Sequence, residues 1–122
     1  MKSALRKAHL YGICDLGYLT AEQALPISRQ LLEGGAGILQ LRAKGHAAAG
    51  LLPLAIELKA LCDEFKVPFV VNDHLELARE SGAHALHLGQ DDGPLGVARD
   101  LLGPDVILGR STHSLDQAKA AL

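Results

Sequence analysis

Short apolar runs alternate along the chain with longer stretches in which apolar residues recur every three or four positions. The first run, Leu10-Tyr11-Gly12-Ile13-Cys14, ends at Asp15 and predicts a buried strand. Thr20 predicts a helix N-cap, with Gln23 three residues on completing a capping box. That helix carries Leu25, Ile27, Leu31 and Leu32 and stops at Gly34-Gly35. Ile38 to Leu41 predicts a second strand, ending at Arg42. From about Ala47 to Phe65, Leu51, Leu54, Leu58, Leu61 and Cys62 recur at helical spacing, with Pro53 near the start, where proline is tolerated. Pro68 to Val71 predicts a third strand, followed at once by Asn72 and Asp73. A short helix over Leu75 to Glu80 closes at Gly82, and His84 to Leu88 predicts a fourth strand. The loop from Gly89 to Gly93 leads to a helix near Val97 to Leu102. A fifth strand follows at Val106 to Leu108, and Gly109 to His113 opens a last helix capped by Ser114.

Strand followed by helix recurs about five times with no linker, repeat or low-complexity tract. Continuous apolar strands joined by helices predict an α/β fold with a parallel sheet covered by helices. Two architectures fit this pattern, an open doubly wound sheet or part of a (βα)8 TIM barrel. No Gly-x-Gly-x-x-Gly follows the first strand, which argues against the dinucleotide-binding version. Polar residues cluster instead after each strand's carboxyl end: Asp15, then Arg42 and Lys44, Asn72 and Asp73, Gln90 and Asp92, Ser111 and His113. Barrel enzymes build their sites at those ends. A barrel of this type takes roughly 200 residues or more. The 122 residues are therefore expected to form one partial TIM-barrel domain, residues 1–122, holding about the first five βα units.

Composition narrows the function classes. With 48% hydrophobic and 21% charged residues, the chain has ample apolar surface for one core. A net charge of -2 and the absence of a basic stripe argue against a nucleic-acid partner. Aromatics at 3% argue against a stacking platform. No apolar run approaches the roughly 18 residues that span a bilayer, so no membrane role is expected. Cys14 and Cys62 sit inside apolar segments and read as reduced core thiols, which together with the lack of a signal-peptide core predicts a cytoplasmic protein.

The segment Gln40-Leu41-Arg42-Ala43-Lys44 carries the first candidate chemistry. Strand alternation is expected to put residues 40, 42 and 44 on one face, where buried cations would call for an anionic partner such as a diphosphate. A solvated basic loop accounts for the same residues. Asp73 and Asp92 follow neighbouring strands, and two carboxylates with phosphate oxygens and waters make a Mg2+ site, although aspartate also commonly caps the helix after a strand. The run Gly109-Arg110-Ser111-Thr112-His113 suits a phosphate oxygen at a helix start, and a plain hydroxyl cap suits it equally. His84 and His87 are expected on opposite faces, which argues against a shared metal; His74 reads as a helix start, and His9 and His46 as surface residues.

Together, Gln40-Leu41-Arg42-x-Lys44, Val-Pro-Phe-Val-Val-Asn72-Asp73, Leu86-His87-Leu88-Gly89-Gln90-x-Asp92 and Gly109-x-Ser111-x-His113 resemble the thiamine phosphate synthase family, in its order and roughly its spacing. Leu10-Tyr11-x-Ile13-x-Asp15 is similar to the family's opening strand. The resemblance covers almost the whole chain but only the amino-terminal part of the family's barrel. It implies transfer of the hydroxymethylpyrimidine group from its diphosphate to a thiazole phosphate, giving thiamine phosphate and diphosphate. Diphosphate would leave first, and the thiazole nitrogen would capture the pyrimidine cation. The resemblance implies that Gln40, Leu41, Arg42, Ala43, Lys44, Asn72 and Ser111 meet the pyrimidine diphosphate, and that Asp73 and Asp92 hold Mg2+. No protein nucleophile is implied.

The family's second lysine for diphosphate and its late glycine-rich phosphate loops lie beyond Leu122, so little of the thiazole phosphate half is expected here. His74 stands where family members often have arginine, and Cys14 where threonine is common. A sister group acts as a thiazole tautomerase, with His113 as its acid/base group; it needs no Mg2+, so the acidic pair favours the synthase. A partial barrel that only binds a ligand is a further alternative. Unpaired barrel edges predict homo-oligomerisation or association with another chain.

Overall fold

The structure, a computed structural model, describes residues 11–88 and 95–110. Strand and helix alternate through β1 (Tyr11–Asp15), α1 (Ala21–Glu33), β2 (Ile38–Arg42), α2 (Ala48–Phe65), β3 (Phe69–Asn72), α3 (Leu75–Ser81), β4 (Ala85–Leu88), α4 (Leu95–Leu102) and β5 (Ile107–Arg110). The five strands form one sheet in the order β1-β2-β3-β4-β5, and every neighbouring pair is parallel. Among the described residues the order never reverses, so these five strands have no switch point of the doubly wound kind. Consecutive helices pack side by side along it. The last predicted helix, capped by Ser114, lies outside the described residues.

Alternation along the strands divides the sheet's two faces. Cys14, Leu39, Leu41, Phe69, Val71 and Leu86 are almost fully buried against the helices, together with Leu58, Leu61 and Cys62 of α2 and Leu77 of α3. Burying each large apolar side chain contributes about 1.5–3 kcal/mol, so this outer layer carries most of the stability. The other face has a separate small cluster, Ile38, Val70 and Ala85 with Ile107 against them. On β1 that face is open: Tyr11 is 47% and Ile13 48% exposed.

Local signals explain the element ends. The Thr20 hydroxyl accepts from the Gln23 N–H while the Gln23 side chain accepts from the Thr20 N–H, the reciprocal box its spacing predicts. Gly82 closes α3 in the left-handed region at φ 72°. Helix α2 ends differently: Lys66 takes the left-handed position at φ 58°, with Val67 N–H bonded to the Cys62 carbonyl at 3.0 Å. A long side chain at that position is legible only from structure. Pro53 is also not in the first turn. Counted from Ala48 it is the sixth helical residue, as Pro26 is counted from Ala21, so each helix gives up one internal hydrogen bond. Strand β5 runs further than the apolar pattern suggests, because Gly109 and Arg110 pair with His87 and Leu88. They are strand residues, not the opening of a loop.

Candidate functional site

Parallel register brings one row of positions on the face away from the helices together at the carboxyl ends. Asp15 pairs with Arg42, Asn72 with His87, and His87 with Gly109. One level deeper, Ile13 pairs with Gln40, Gln40 with Val70, and Val70 with Ala85. Polar residues thus gather at the carboxyl end of the face away from the helices, one level above Ile13, Gln40, Val70 and Ala85.

Gln40 is the pivot of the site. Only 6% exposed, it donates from Nε2 to Tyr11 Oη at 2.8 Å, and its Oε1 faces the Asn72 amide at 3.3 Å. Burial raises the Tyr11 hydroxyl above its ordinary range, and the Gln40 contact pulls it back only partly. The Asn72 amide stands between two partners. With its nitrogen toward Gln40 it donates at 3.3 Å; turned over, it donates to the Asp73 carboxylate oxygens at 2.8 and 3.1 Å. The shorter, charge-assisted pair is the stronger. Asn72 thus bonds Gln40 in one orientation and Asp73 in the other.

Asp73 itself has φ 67°, the left-handed region that few L-residues enter, and its N–H is fixed to the His87 carbonyl at 2.9 Å. Aspartate tolerates this conformation better than most residues. Such backbone outliers concentrate at functional positions.

The basic residues sit differently from the sequence expectation. Gln40 and Arg42 do share the face away from the helices, but β2 ends at Arg42, so the strand's pleat does not set the direction of Lys44, which is exposed in the following turn. Neither cation is buried. Arg42 is 42% exposed, and its Nε lies 4.0 Å from Asp15 Oδ2, a loose pair whose other carboxylate oxygen accepts from Gly17 N–H. Leu41 and Ala43, each 1% exposed, pack into the helix-side core, so only their backbone is open to a ligand. The Ala43 carbonyl is already engaged by His74 Nε2 at 3.2 Å, which ties the loop after β2 to the start of α3. Ser111, Asp92, His113 and Gln90 lie outside the described residues. Among the described residues no group of three potential metal ligands occurs, and Asp73 is the member of the expected Mg2+ pair that the structure places.

Two residues on this face carry no site role in the sequence reading. Tyr11 touches Gln40 across 29 residues of chain, and His87 stands beside Asn72. Counting back by twos from Asp15 reaches Tyr11, but the cross-strand register that brings His87 alongside is not written in local sequence. His87 also explains Gly109, where a Cβ would come within 3.2 Å of the ring's Nδ1.

The cysteines lie elsewhere, as expected for core thiols. Both are fully buried; burial, and then Asp63, pushes the Cys62 thiol up to about 12. Burial also raises Cys14, beside the hydroxyl of Ser28. That hydroxyl is fully buried and, among the described residues, meets no hydrogen-bond partner of normal geometry.

A family model described as thiamine monophosphate synthase matches residues 10–122. The thiamine-phosphate synthase of Shouchella clausii is 38% identical over 117 residues, covering 96% of this chain and 56% of that protein. That of Haloarcula marismortui is 39% identical over 111 residues, covering 85% of this chain and 53% of its own length. Among solved structures, a thiamine phosphate pyrophosphorylase from Pyrococcus furiosus superposes with a TM-score of 0.81 at 32% identity, covering 94% of this chain and 55% of that one. A dihydropteroate synthase from Thermus thermophilus superposes with a TM-score of 0.53 at 31% identity, over 68% of this chain and 34% of that one. The chain spans about half the length of the curated relatives it matches.

Proposed function

Since the chain belongs to the thiamine monophosphate synthase family, we propose that its carboxyl-end row is the pyrimidine diphosphate half of a thiamine phosphate synthase site. The observation that carries this reading is the cluster of Tyr11, Gln40, Asn72 and Asp73, in which the Asn72 amide bonds either Gln40 or Asp73 and so gathers two amides and a carboxylate at one end of the sheet. Gln40, held from below by Tyr11, presents its amide to the pyrimidine ring. Arg42 and Lys44, free of tight ion pairs among the described residues, and Asn72 take the diphosphate oxygens, joined by Ser111. Exposure of both cations fits groups that meet a ligand from solvent. Asp73 and Asp92 fit a hard divalent cation by their oxygen chemistry; when bound, Mg2+ supplies neutralising charge to the departing diphosphate. Cations and amides arranged before the reaction favour the state in which negative charge gathers on that leaving group. The thiazole phosphate nitrogen then takes the pyrimidine carbon.

We also read the sheet as the first five strands of a (βα)8 barrel. Support comes from the unreversed strand order, the helices along one face and the apolar inner layer whose β1 edge, Tyr11 and Ile13, is half exposed. Further strands of a longer chain, or a second copy, would cover that edge, and a cytoplasmic setting suits the buried thiols. The experiment is thiamine phosphate formation from the two substrates with Mg2+, for the native protein and its Arg42→Ala variant. Loss of turnover in the variant supports the reading; turnover unaffected by removing Arg42 overturns it.

A further inference from the structure

A second cluster lies at the opposite, amino-terminal end of the sheet. His84, immediately before β4, is only 15% exposed and uses both ring nitrogens. Nδ1 accepts from the Phe69 N–H at 2.9 Å, so that nitrogen carries no proton. The proton therefore sits on Nε2, which donates to Asp63 Oδ1 at 3.0 Å. Asp63 belongs to the last turn of α2, and its other oxygen accepts from Lys59 one turn earlier. Lys59 in turn lies alongside Gly82, the C-cap of α3. The ring thus joins the end of α2 to the first residue of β3.

Those contacts hold only for the neutral ring. Among the described residues, the charged groups acting on it are Asp63 and Lys59, both from α2, and they oppose one another. From β3 it meets the Phe69 N–H, and from β5 the Ile107 N–H takes its backbone carbonyl at 3.0 Å. Burial is the larger influence and holds the imidazole below its ordinary range, with Asp63 pulling the other way. Burial would also raise the Asp63 carboxyl, but Lys59 and His84 together outweigh it and keep the group below its usual range.

We propose that His84 is an acid-released latch on β3: neutral, its ring ties the Phe69 N–H to the end of α2; protonated at Nδ1, the ring keeps Asp63 and releases that N–H, leaving the backbone bond from the His84 N–H to the Phe69 carbonyl at 3.0 Å. The incoming proton occupies the lone pair that accepted the Phe69 N–H, so the two cannot coexist. Phe69 is fully buried and β3 is only four residues long, with Asn72 at its far end, so release at one end loosens the strand that carries the candidate site. The sign follows from linkage. A ring held neutral makes the native protein bind fewer protons than the opened form. The latch is therefore complete above about pH 6.5 and weakens as pH falls toward the native ring's own titration.

The test is amide hydrogen exchange of the native chain between pH 8 and 5, corrected for intrinsic rates. The control is the Leu16 N–H, which bonds the Arg42 carbonyl at the sheet's other end. Opening at Phe69 is expected to rise by up to about tenfold per pH unit below about 6.5 while Leu16 stays flat. In His84→Asn the amide oxygen replaces Nδ1 as a non-titrating acceptor, and Phe69 protection is expected to become independent of pH. Flat Phe69 protection in the native chain overturns the proposal, as does parallel loss at Leu16. If His84→Asn folds and keeps the pH dependence, His84 is not the latch.

Discussion

Replacing Asp73 separates its backbone role from its chemical one. At φ 67° an alanine pays about 1–2 kcal/mol that glycine does not. Both substitutions remove the carboxylate that accepts from Asn72, so the difference between them isolates the backbone. Asp73→Ala is therefore expected to unfold at lower urea than Asp73→Gly, by about 1 kcal/mol or more, or about 4 °C in Tm. Asp73→Asn tolerates the left-handed position and should stay within about 0.5 kcal/mol of the native protein. Binding follows a different order: all three variants lose Mg2+-dependent retention of the pyrimidine diphosphate, including the stable asparagine variant. Urea and thermal melts give the first ordering, calorimetric titration the second. Equal stability of the alanine and glycine variants would refute the strain argument, and undiminished binding by Asp73→Asn would refute the metal assignment.

Other outcomes follow from the packing. Cys14 and Cys62 should both resist a thiol reagent at pH 8 in the folded protein and react once it is unfolded, since burial raises both thiols and Cys62 reaches about 12; rapid modification of the native chain would contradict their place in the core. Ser28→Ala removes a buried hydroxyl without a normal partner, so denaturation should show unchanged or slightly raised stability, by up to about 1 kcal/mol. A marked loss would mean that the hydroxyl's contact with Cys14 stabilises more than its burial costs. Gly109→Ala presses on the His87 ring at 3.2 Å, so melts should show a cost under about 1 kcal/mol while affinity for the pyrimidine diphosphate falls several-fold. Unchanged affinity would remove His87 from the site.

Local signals made much of this fold legible. Thr20 with Gln23 set the start of α1 and Gly82 the end of α3, because capping is written within three or four residues. The apolar runs located all five strands for the same reason. What escaped depends on partners far along the chain. His84 engages Asp63 and Phe69 through spatial neighbours that no spacing rule reports. The extension of β5 to Arg110 comes from pairing with β4, although Gly109 alone reads as a turn. Lys66 at a left-handed cap breaks the glycine preference. Alternation puts Gln40 and Arg42 on one face of β2, as the strand has them, but it does not reach Lys44, since a pleat has no meaning past the end of its strand.

The most direct test of the account is calorimetric titration of the chain with hydroxymethylpyrimidine diphosphate, with and without Mg2+, beside Arg42→Ala and Gln40→Leu. The account predicts binding that requires Mg2+, weakens without Arg42, and loses selectivity for the pyrimidine over inorganic diphosphate without Gln40. Binding that ignores Mg2+ and both substitutions, or no binding by the folded chain, would contradict it.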